Sequence, residues 1–414
     1  MDIYLVGGAV RDKLLGLPVK ERDWVVVGTT TEDMLNKGYR PVGKDFPVFL
    51  HPQTHEEYAL ARTERKSAAG YRGFTVHAHP TVTLKQDLLR RDLTINALAE
   101  DGSGNIIDHY GGREDLDNKL LRHTSPAFVE DPLRVLRVAR FAARYKPLGF
   151  RIAAETLELM GAMVTNGEVN ALVAERVWLE LIKALKEDSP GEFFEVLHRC
   201  GALSILFPEL ERLRGVPQPP KHHPEIDTWV HTLMVLSVAT RMSEDTKVRF
   251  AALTHDLGKG TTPEHEWPRH IGHEGRGAIL VDDLCTRLKA PKAYRNLARL
   301  VAKYHLQCHL SMEMRPNTLL KTIEKLDAFR RPDRFEQFLI ACEADFRGRL
   351  GLQNRPYPQA GLLRKALKAA RDIDLSSQIA AGLQGEALAH ALREMRLKAI
   401  NSLQKNAQQN ATKD

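Results

Sequence analysis

Glu21 and Asp23 stand two residues apart in "KERDWVVVG", directly ahead of a run of three valines. Valines favour a strand, and strand side chains alternate, so the two acids are predicted to share one face with Arg22 on the other. Two neighbouring carboxylates repel unless a cation sits between them. Mg²⁺ is commonly held by one or two carboxylates together with substrate phosphates. A pair of such ions can activate an attacking hydroxyl and stabilise a leaving pyrophosphate. The plainer alternative is a solvated strand end, with the acids paired to Lys20 and Arg22. Upstream, "YLVGGAVRD" reads as a strand, a turn at Gly7 and Gly8, and a helix. Glycine lets backbone N–H groups approach a phosphate, and Gly8 and the helix start favour an anion. Arg11 in the first turn adds a fork for phosphate oxygens. Alone this is more simply a plain tight turn; with the acid pair it favours a metal and triphosphate site.

A second set of candidates follows in "VEDPLRVLRVARFAAR". Pro132 suits a first helical turn and Asp131 the cap before it. Arg134, Arg137, Arg140 and Arg144 recur every three or four residues, near one helix face. Such a row of cations repels itself unless something anionic lies along it, a nucleoside triphosphate or an RNA backbone. Further on, His231 lies on an amphipathic stretch, His255 and Asp256 are adjacent in "THDLGKG", and His270, His273 and His305 follow. One histidine on an apolar face is ordinary core. Several around a His-Asp pair suit a divalent transition metal such as Ni²⁺, Mn²⁺, Co²⁺ or Zn²⁺. A helical body that merely kept its histidines is the alternative.

The elements that must position these groups divide the chain in two styles. Short β-rich runs ("IYLVGG", "DWVVVG", "FPVFL", "EYALAR") mix with helices up to about residue 125. From about 130 the period is helical nearly to the end. Prolines interrupt it at 215–227, the clearest boundary candidate. The last fourteen residues lack an apolar face and are expected to fray. "RTERKSAAGYRGF" (62–74) reads either as a mobile loop beside the site or as a plain hairpin. The chain has 414 residues, 43% hydrophobic and 27% charged, enough for several cores. Lys and Arg exceed Asp and Glu by 60 to 53, a mild excess that suits a polyanionic partner. Four cysteines without CxxC spacing argue against a disulfide framework or a thiolate zinc site. No secretory leader or membrane-spanning run is visible, so the cytoplasm is the expected compartment.

Gly-Gly, a short helix and acid-x-acid resemble the nucleotidyltransferase superfamily that includes DNA polymerase β. "GGAVRD", "KERDW", "RRDLTINA" and "EDPLRVLR", in that order, resemble more specifically the class II CCA-adding enzymes, tRNA nucleotidyltransferases related to bacterial poly(A) polymerases. With "HDLGK", which resembles the HD metal phosphohydrolases, the likeness is to the proteobacterial, multifunctional branch of the family. It implies an α+β fold: a polymerase-β-like head with a mixed sheet and helices (1–127), then an all-α neck (128–220), an HD-type body (221–330) and a helical tRNA-binding tail (331–414). It implies addition of CCA to the 3′ end of tRNA from CTP and ATP, with Mg²⁺ on Glu21 and Asp23. Gly8, Arg11, Arg91, Asp92, Asp131, Arg134, Arg137 and Arg140 would bind the nucleotide. Within that set Arg91 would contact the nucleotide, Asp92 the sugar or a backbone group, and Glu130, Asp131 and Arg134 would select the base, although Asp131 could equally serve as a cap. Asp92 and Asn96, four apart, are expected on one helix face. Glu175, Arg176 and Glu180 would buttress the selecting helix, and Arg347 and Arg349 would face RNA. His231, His255, Asp256 and His305 would hold Ni²⁺, Mn²⁺ or Co²⁺ for phosphatase, 2′,3′-cyclic phosphodiesterase or 2′-nucleotidase chemistry. Oligomeric state is expected to be monomer or homodimer, with no membrane partner.

Two departures from the family pattern stand out. Glu21 replaces the usual first Asp, and Leu306 follows His305 where a late Asp would close the HD set. The alternatives are a poly(A) polymerase, or an HD phosphohydrolase whose head only senses nucleotides.

Overall fold

The computed structural model describes residues 1–42, 47–66 and 74–411. The chain forms two compact units, 1–208 and 209–414. In the first, strands β1 (Asp2–Val6), β2 (Asp23–Val27), β3 (Arg40–Val42), β4 (Val48–Leu50) and β5 (Glu57–Leu60) join β8 (Leu98–Glu100) and β9 (Ile106–Asp108) in one sheet, ordered β3-β4-β5-β2-β1-β8-β9. Strands β6 (Thr63–Lys66) and β7 (Phe74–His77) form a separate antiparallel hairpin; residues 67–73 of the expected loop lie outside the described residues. The sheet is mixed: β2 runs antiparallel to β1 and parallel to β5.

β2 explains its own composition. Val25 packs with Val6, Leu88 and Ala99 on one face, while Val26 packs with Met34, Phe49 and Leu60 on the other. A strand buried on both faces reads as a continuous apolar run. The strand starts at Asp23, so Glu21 belongs to the preceding coil, not to the strand as the alternation argument required. Short helices α1 (Gly8–Leu14), α2 (Thr31–Asn36), α3 (Leu84–Leu89) and α4 (Gly112–Asp117) flank the sheet. Capping boxes at Thr30/Asp33 and Thr83/Gln86 fix where α2 and α3 begin. Asp92 and Asn96 do not share an α-helix: α3 ends at Leu89, and a turn leads into a 3₁₀ segment, Thr94–Asn96.

Helices α5 (Leu133–Tyr145), α6 (Ala154–Thr165), α7 (Ala174–Lys186), α8 (Pro190–Arg199) and α9 (Ala202–Leu206) complete the first unit, with α5 packed on α7 and α8. Short α10 (Pro208–Glu211) straddles the division.

The second unit is helical: α11 (Thr228–Met242), α12 (Thr246–Thr254), α13 (His273–Arg287), α14 (Lys292–His309), α15 (Pro316–Lys325), α16 (Pro332–Arg347), α17 (Pro358–Arg371), α18 (Ser376–Ala380) and α19 (Gly385–Ala411). Helices α11, α12, α14 and α16 pack on one another. The proline-rich stretch at 215–227 is a closed loop here, not an open tether. Gln218 N–H donates to the Ile226 carbonyl at 2.7 Å, and Thr228 N–H to Val216 at 3.0 Å. Helix continues through Ala411 in α19, beyond the expected fraying point. All four cysteines are free and buried. No helix among the described residues is long and apolar enough to cross a membrane.

Candidate functional sites

A cleft of about 660 Å³ in the first unit gathers Gly7, Gly8, Arg11, Glu21, Asp23, Arg91, Asp92, Asp131, Arg134, Arg137 and Arg140; Glu130, expected beside Asp131 and Arg134, does not line it. The turn from β1 into α1 is built on Gly7, whose φ is +70°. A Cβ there would lie 2.6 Å from Arg91 Nη1, so glycine lets that guanidinium pass against the backbone. Asp23 has its carboxyl pushed up, first by loss of surrounding water and further by Glu21, against the pull of Arg91. Asp23 itself is solvent-exposed at the mouth of the cleft, and the like charge of Glu21 beside it is what a cation would relieve. Glu21 and Asp23 therefore fit a divalent ion even though only Asp23 is on the strand.

Asp92 is the hub of the arginine side. Its Oδ1 accepts from Leu93 N–H at 2.9 Å and Asn96 Nδ2 at 2.8 Å, and its Oδ2 from Arg137 Nε at 2.7 Å. Burial pushes the carboxyl up, but Arg137, these hydrogen bonds and Arg134 outweigh it and hold it well below the usual carboxylate range. The turn and 3₁₀ segment thus bring together the pair expected on a helix. Arg11 is buried between Asp12, Asn96 and the rings of Phe141 and Tyr145, 5.2 and 5.3 Å away.

The arginine row of α5 is neutralised by the protein itself, which the sequence argument overlooked. Arg137 meets Asp92, Arg140 donates to Glu180 at 2.7 Å, and Arg144 donates to Asp12 at 3.0 Å. Arg134 donates to the carbonyls of Ala127 and Arg90 at 2.7 and 2.5 Å. Asp131 takes the capping part: Oδ1 accepts from Leu133 N–H at 3.0 Å at the start of α5, while Oδ2 accepts from Arg176 Nη2 at 3.0 Å. Arg176 and Glu180 of α7 do buttress α5; Glu175 is exposed. Asp12, which Tyr145 Oη also contacts at 3.1 Å, was not singled out; its adjacency to Arg11 was the available signal.

In the second unit, four buried groups converge from two helices, α11 and α16, and the turn after α12. His231 Nε2 is 3.1 Å from Asp345 Oδ1 and 3.9 Å from Asp256 Oδ2. His255 Nε2 is 3.0 Å from Asp256 Oδ2 and 3.6 Å from Asp345 Oδ1. His255 Nδ1 lies 2.8 Å from the Ala252 carbonyl, which can only accept, so Nδ1 carries a proton and Nε2 is the atom turned to the acids. Burial pulls the imidazole's pKa down, but Asp256 and Asp345 raise it above the ordinary value, so a metal ion would take the place of a second proton on Nε2. Asp345, on α16, is the closing carboxylate that seemed missing beside His305. The expected position at Leu306 was wrong because the second acid comes from another helix. Its neighbours Arg347 and Arg349 turn toward Glu343 and Asp345, at 2.6 and 3.9 Å. His305 does not join His231 and His255. With His273 it faces the other oxygen of Asp256.

Surrounding groups hold the centre. His309 Nε2 is 2.6 Å from Asp345 Oδ2, and its Nδ1 is 2.9 Å from Tyr357 Oη. Glu225 lies 3.0 Å from both His223 and His231. Asp256 and Asp345 are pushed up by burial, but the facing histidines, and Lys259 for Asp256, hold both far below the usual range. Burial pushes His305 down to about 3 and His223 to about 4. His255 Nε2, His273 Nε2 and Asp256 Oδ1 are buried without a hydrogen-bond partner, the condition a metal ion would correct.

The family models match in the same order. A poly A polymerase head domain matches residues 3–122, a probable RNA and SrmB-binding site of polymerase A residues 149–213, and an HD domain residues 228–331. The multifunctional CCA protein of Thioalkalivibrio sulfidiphilus is 64% identical over 403 residues, covering 97% of this chain and 98% of that one. That of Pseudomonas aeruginosa is 59% identical over 402 residues, with the same coverage. The chain belongs to the multifunctional CCA protein family. Among solved structures, a CCA-adding enzyme in apo form II aligns with TM-score 0.63 at 21% identity, covering 97% of this chain and 88% of that one. The Thermotoga maritima CCA-adding enzyme complexed with tRNA aligns with TM-score 0.60 at 20% identity, covering 97% and 87%. These likenesses carry the fold: a polymerase-β-like head with a mixed sheet, followed by helices that include an HD body.

Proposed function

We propose that this protein adds C, C and A to the 3′ end of tRNA from CTP and ATP, releasing pyrophosphate, without a nucleic-acid template. The observation that carries the reading is one cleft in which Glu21 and Asp23 face a wall of arginines fixed by buried acids. Glu21 and Asp23 would hold Mg²⁺, which activates the terminal hydroxyl and binds the triphosphate when present. Gly8 and Arg11 line the turn that approaches the phosphates, and Arg91, Arg137 and Arg140 supply positive charge held in place by Asp87, Asp92 and Glu180. Base selection is assigned to Asp131 and Arg134. Asp accepts and Arg donates, as a Watson–Crick edge requires. Both are clamped from behind, Asp131 by Arg176 and Arg134 by two backbone carbonyls, so their geometry need not reorganise.

Nucleotide chemistry then falls to 1–127, base selection to 128–220, metal binding to the body at 221–330 and tRNA contact to 331–414. His231, His255 and Asp256 of that body, with Asp345 reaching back from α16 in 331–414, would hold Ni²⁺, Mn²⁺ or Co²⁺. Such an ion polarises a phosphoryl oxygen and lowers the pKa of a bound water. The resulting activity is hydrolysis of phosphate monoesters or 2′,3′-cyclic phosphates at damaged tRNA ends, in the cytoplasm.

The test is incubation with tRNA lacking its last three nucleotides, labelled CTP and ATP, and Mg²⁺, followed by sequencing of the product. Addition of CCA is expected. A run of A from ATP alone would identify a poly(A) polymerase instead. His255→Ala should abolish hydrolysis of a 2′,3′-cyclic phosphate and leave CMP addition intact; parallel loss of both would contradict two separate sites.

A further inference from the structure

Asp12 holds two guanidiniums that come from different elements. It lies on α1, one residue after Arg11, and is 7% exposed. Its Oδ1 accepts from Arg11 Nε at 2.9 Å, from Arg11 Nη2 at 2.8 Å and from Tyr145 Oη at 3.1 Å. Its Oδ2 accepts from Arg144 Nη2 at 3.0 Å. An ionised carboxylate has about four lone-pair sites, so this one is saturated. Arg144 and Tyr145 close the last turn of α5. The carboxylate therefore ties the helix after the Gly7–Gly8 turn to the end of α5 opposite Asp131 and Arg134.

These bonds leave part of each guanidinium for something else. An arginine carries five N–H groups. Asp12 takes two of those on Arg11, and Asn96 takes one through Nη1. Arg144 makes its hydrogen bond through Nη2 alone, and its side chain is 30% exposed. Both arginines line the cleft, and both lie over the Tyr145 ring, each 5.3 Å from its centroid.

The charges at this end do not balance. Along α5 alone each arginine charge has its acid, but Asp12 serves Arg11 as well as Arg144, so one carboxylate answers two cations. The other acid on this side is Glu187, 3.7 Å from Arg140 Nη1. Burial pushes its carboxyl up, against the pull of Arg140 and Arg144. Two cations held against one acid and one ring repel each other, and an anion across their outer edges would relieve that.

We propose that Arg144 is a further contact to the triphosphate, and that Asp12 is the positioning residue that sets it beside Arg11. This rests on the nucleotide-site reading of the cleft and goes beyond it. A triphosphate is favoured over an RNA backbone because Arg144 shares its carboxylate with Arg11, which stands beside the glycine turn. Neither arginine needs the base, so CTP, ATP and the departing pyrophosphate are gripped alike.

The test is calorimetric titration of the full chain with CTP, ATP, inorganic pyrophosphate and tRNA lacking its CCA end, each with Mg²⁺. Arg144→Gln should weaken CTP, ATP and pyrophosphate by one common factor of at least about tenfold, the loss of a charge-assisted contact, with tRNA affinity within twofold of wild type. Arg144→Lys, which keeps the charge, should recover most of the pyrophosphate affinity. Asp12→Asn should weaken the same three ligands, but by less when added to Arg144→Gln than alone, because one of the groups it positions is already gone. Strictly additive losses would mean that Asp12 serves only the fold, and overturn its positioning role. Unchanged CTP and pyrophosphate affinity in Arg144→Gln overturns the proposal and leaves the nucleotide site standing, and this variant decides the matter even if Asp12→Asn fails to fold. A loss confined to tRNA would put RNA on Arg144 and overturn it as well. Absence of CTP binding to the wild type would overturn both this and the reading beneath it.

Discussion

Asp92→Asn is the sharpest probe of the cleft. The carboxylate accepts from three donors: Leu93 N–H, Asn96 Nδ2 and Arg137 Nε. An amide of the same shape has one oxygen and one NH₂. Whichever way it turns, its NH₂ meets at least one of those donors head-on. If the oxygen keeps Leu93 and Asn96, Arg137 loses its partner; if it turns to Arg137, two other donors are orphaned. Losing a hydrogen bond to a charged group costs about 1.5–3 kcal/mol, and an orphaned buried donor about 1–3 more. Arg137 is about a third exposed, so water repairs part of the loss on its side. The net cost is expected to be about 2–3 kcal/mol, roughly 30- to 150-fold in an opening equilibrium at about 1.4 kcal/mol per decade. Hydrogen exchange of the amides of α5, followed by mass spectrometry, reads this without requiring the two units to unfold together. Exchange there should accelerate by that factor, and CTP affinity should fall as Arg137 is released. Exchange within threefold of wild type would refute the reasoning.

Other expectations follow from single contacts. Gly7→Ala should weaken CTP binding at least tenfold, because its Cβ displaces Arg91 and the positive φ costs roughly 1 kcal/mol besides; unchanged binding would place Arg91 outside the nucleotide site. Gly258→Ala should lower the melting temperature of the second unit by several degrees, since a Cβ 2.0 Å from a carbonyl oxygen requires backbone movement; an unshifted melt would mean the turn relaxes freely. In metal-stripped protein, His223 and His305 have folded pKa values of about 4 and 3, below the ordinary 6.5. Protons therefore bind the unfolded chain more readily. Stability from these groups is complete above pH 6.5 and lost as pH falls toward 4, so thermal unfolding with chelator should shift down between pH 7 and 5. A flat profile would mean these imidazoles are not buried neutral.

Local features were legible in the sequence because local physics produces them. The alternating fates of Val25 and Val26, the Gly7 turn and the helical frame of the α5 arginines all follow from periods of two and 3.6 residues. What was missed lies across long separations. Asp345 is 114 residues from His231, and no spacing rule links them. Its signal was subtler: an acid seven residues after Phe338 and three after Cys342, on the buried stripe of α16. An acid on such a stripe needs a buried partner, and the histidines were already in view. The arginine row misled for the same reason. Its self-repulsion is cancelled by Asp92, Glu180 and Asp12, brought from other elements, so the row alone did not require a ligand. Asp92 and Asn96 met through a turn and a 3₁₀ segment, where spacing on an ideal helix had suggested the right pair by the wrong geometry.

The most direct measurement is single-turnover CMP incorporation by Asp23→Ala on tRNA lacking its CCA end, at saturating CTP and Mg²⁺. Loss of the ion-holding carboxylate removes several kcal/mol of transition-state stabilisation, so the rate should fall by at least about 10³ while tRNA still binds. A rate within tenfold of wild type would contradict the assignment of metal to Glu21 and Asp23.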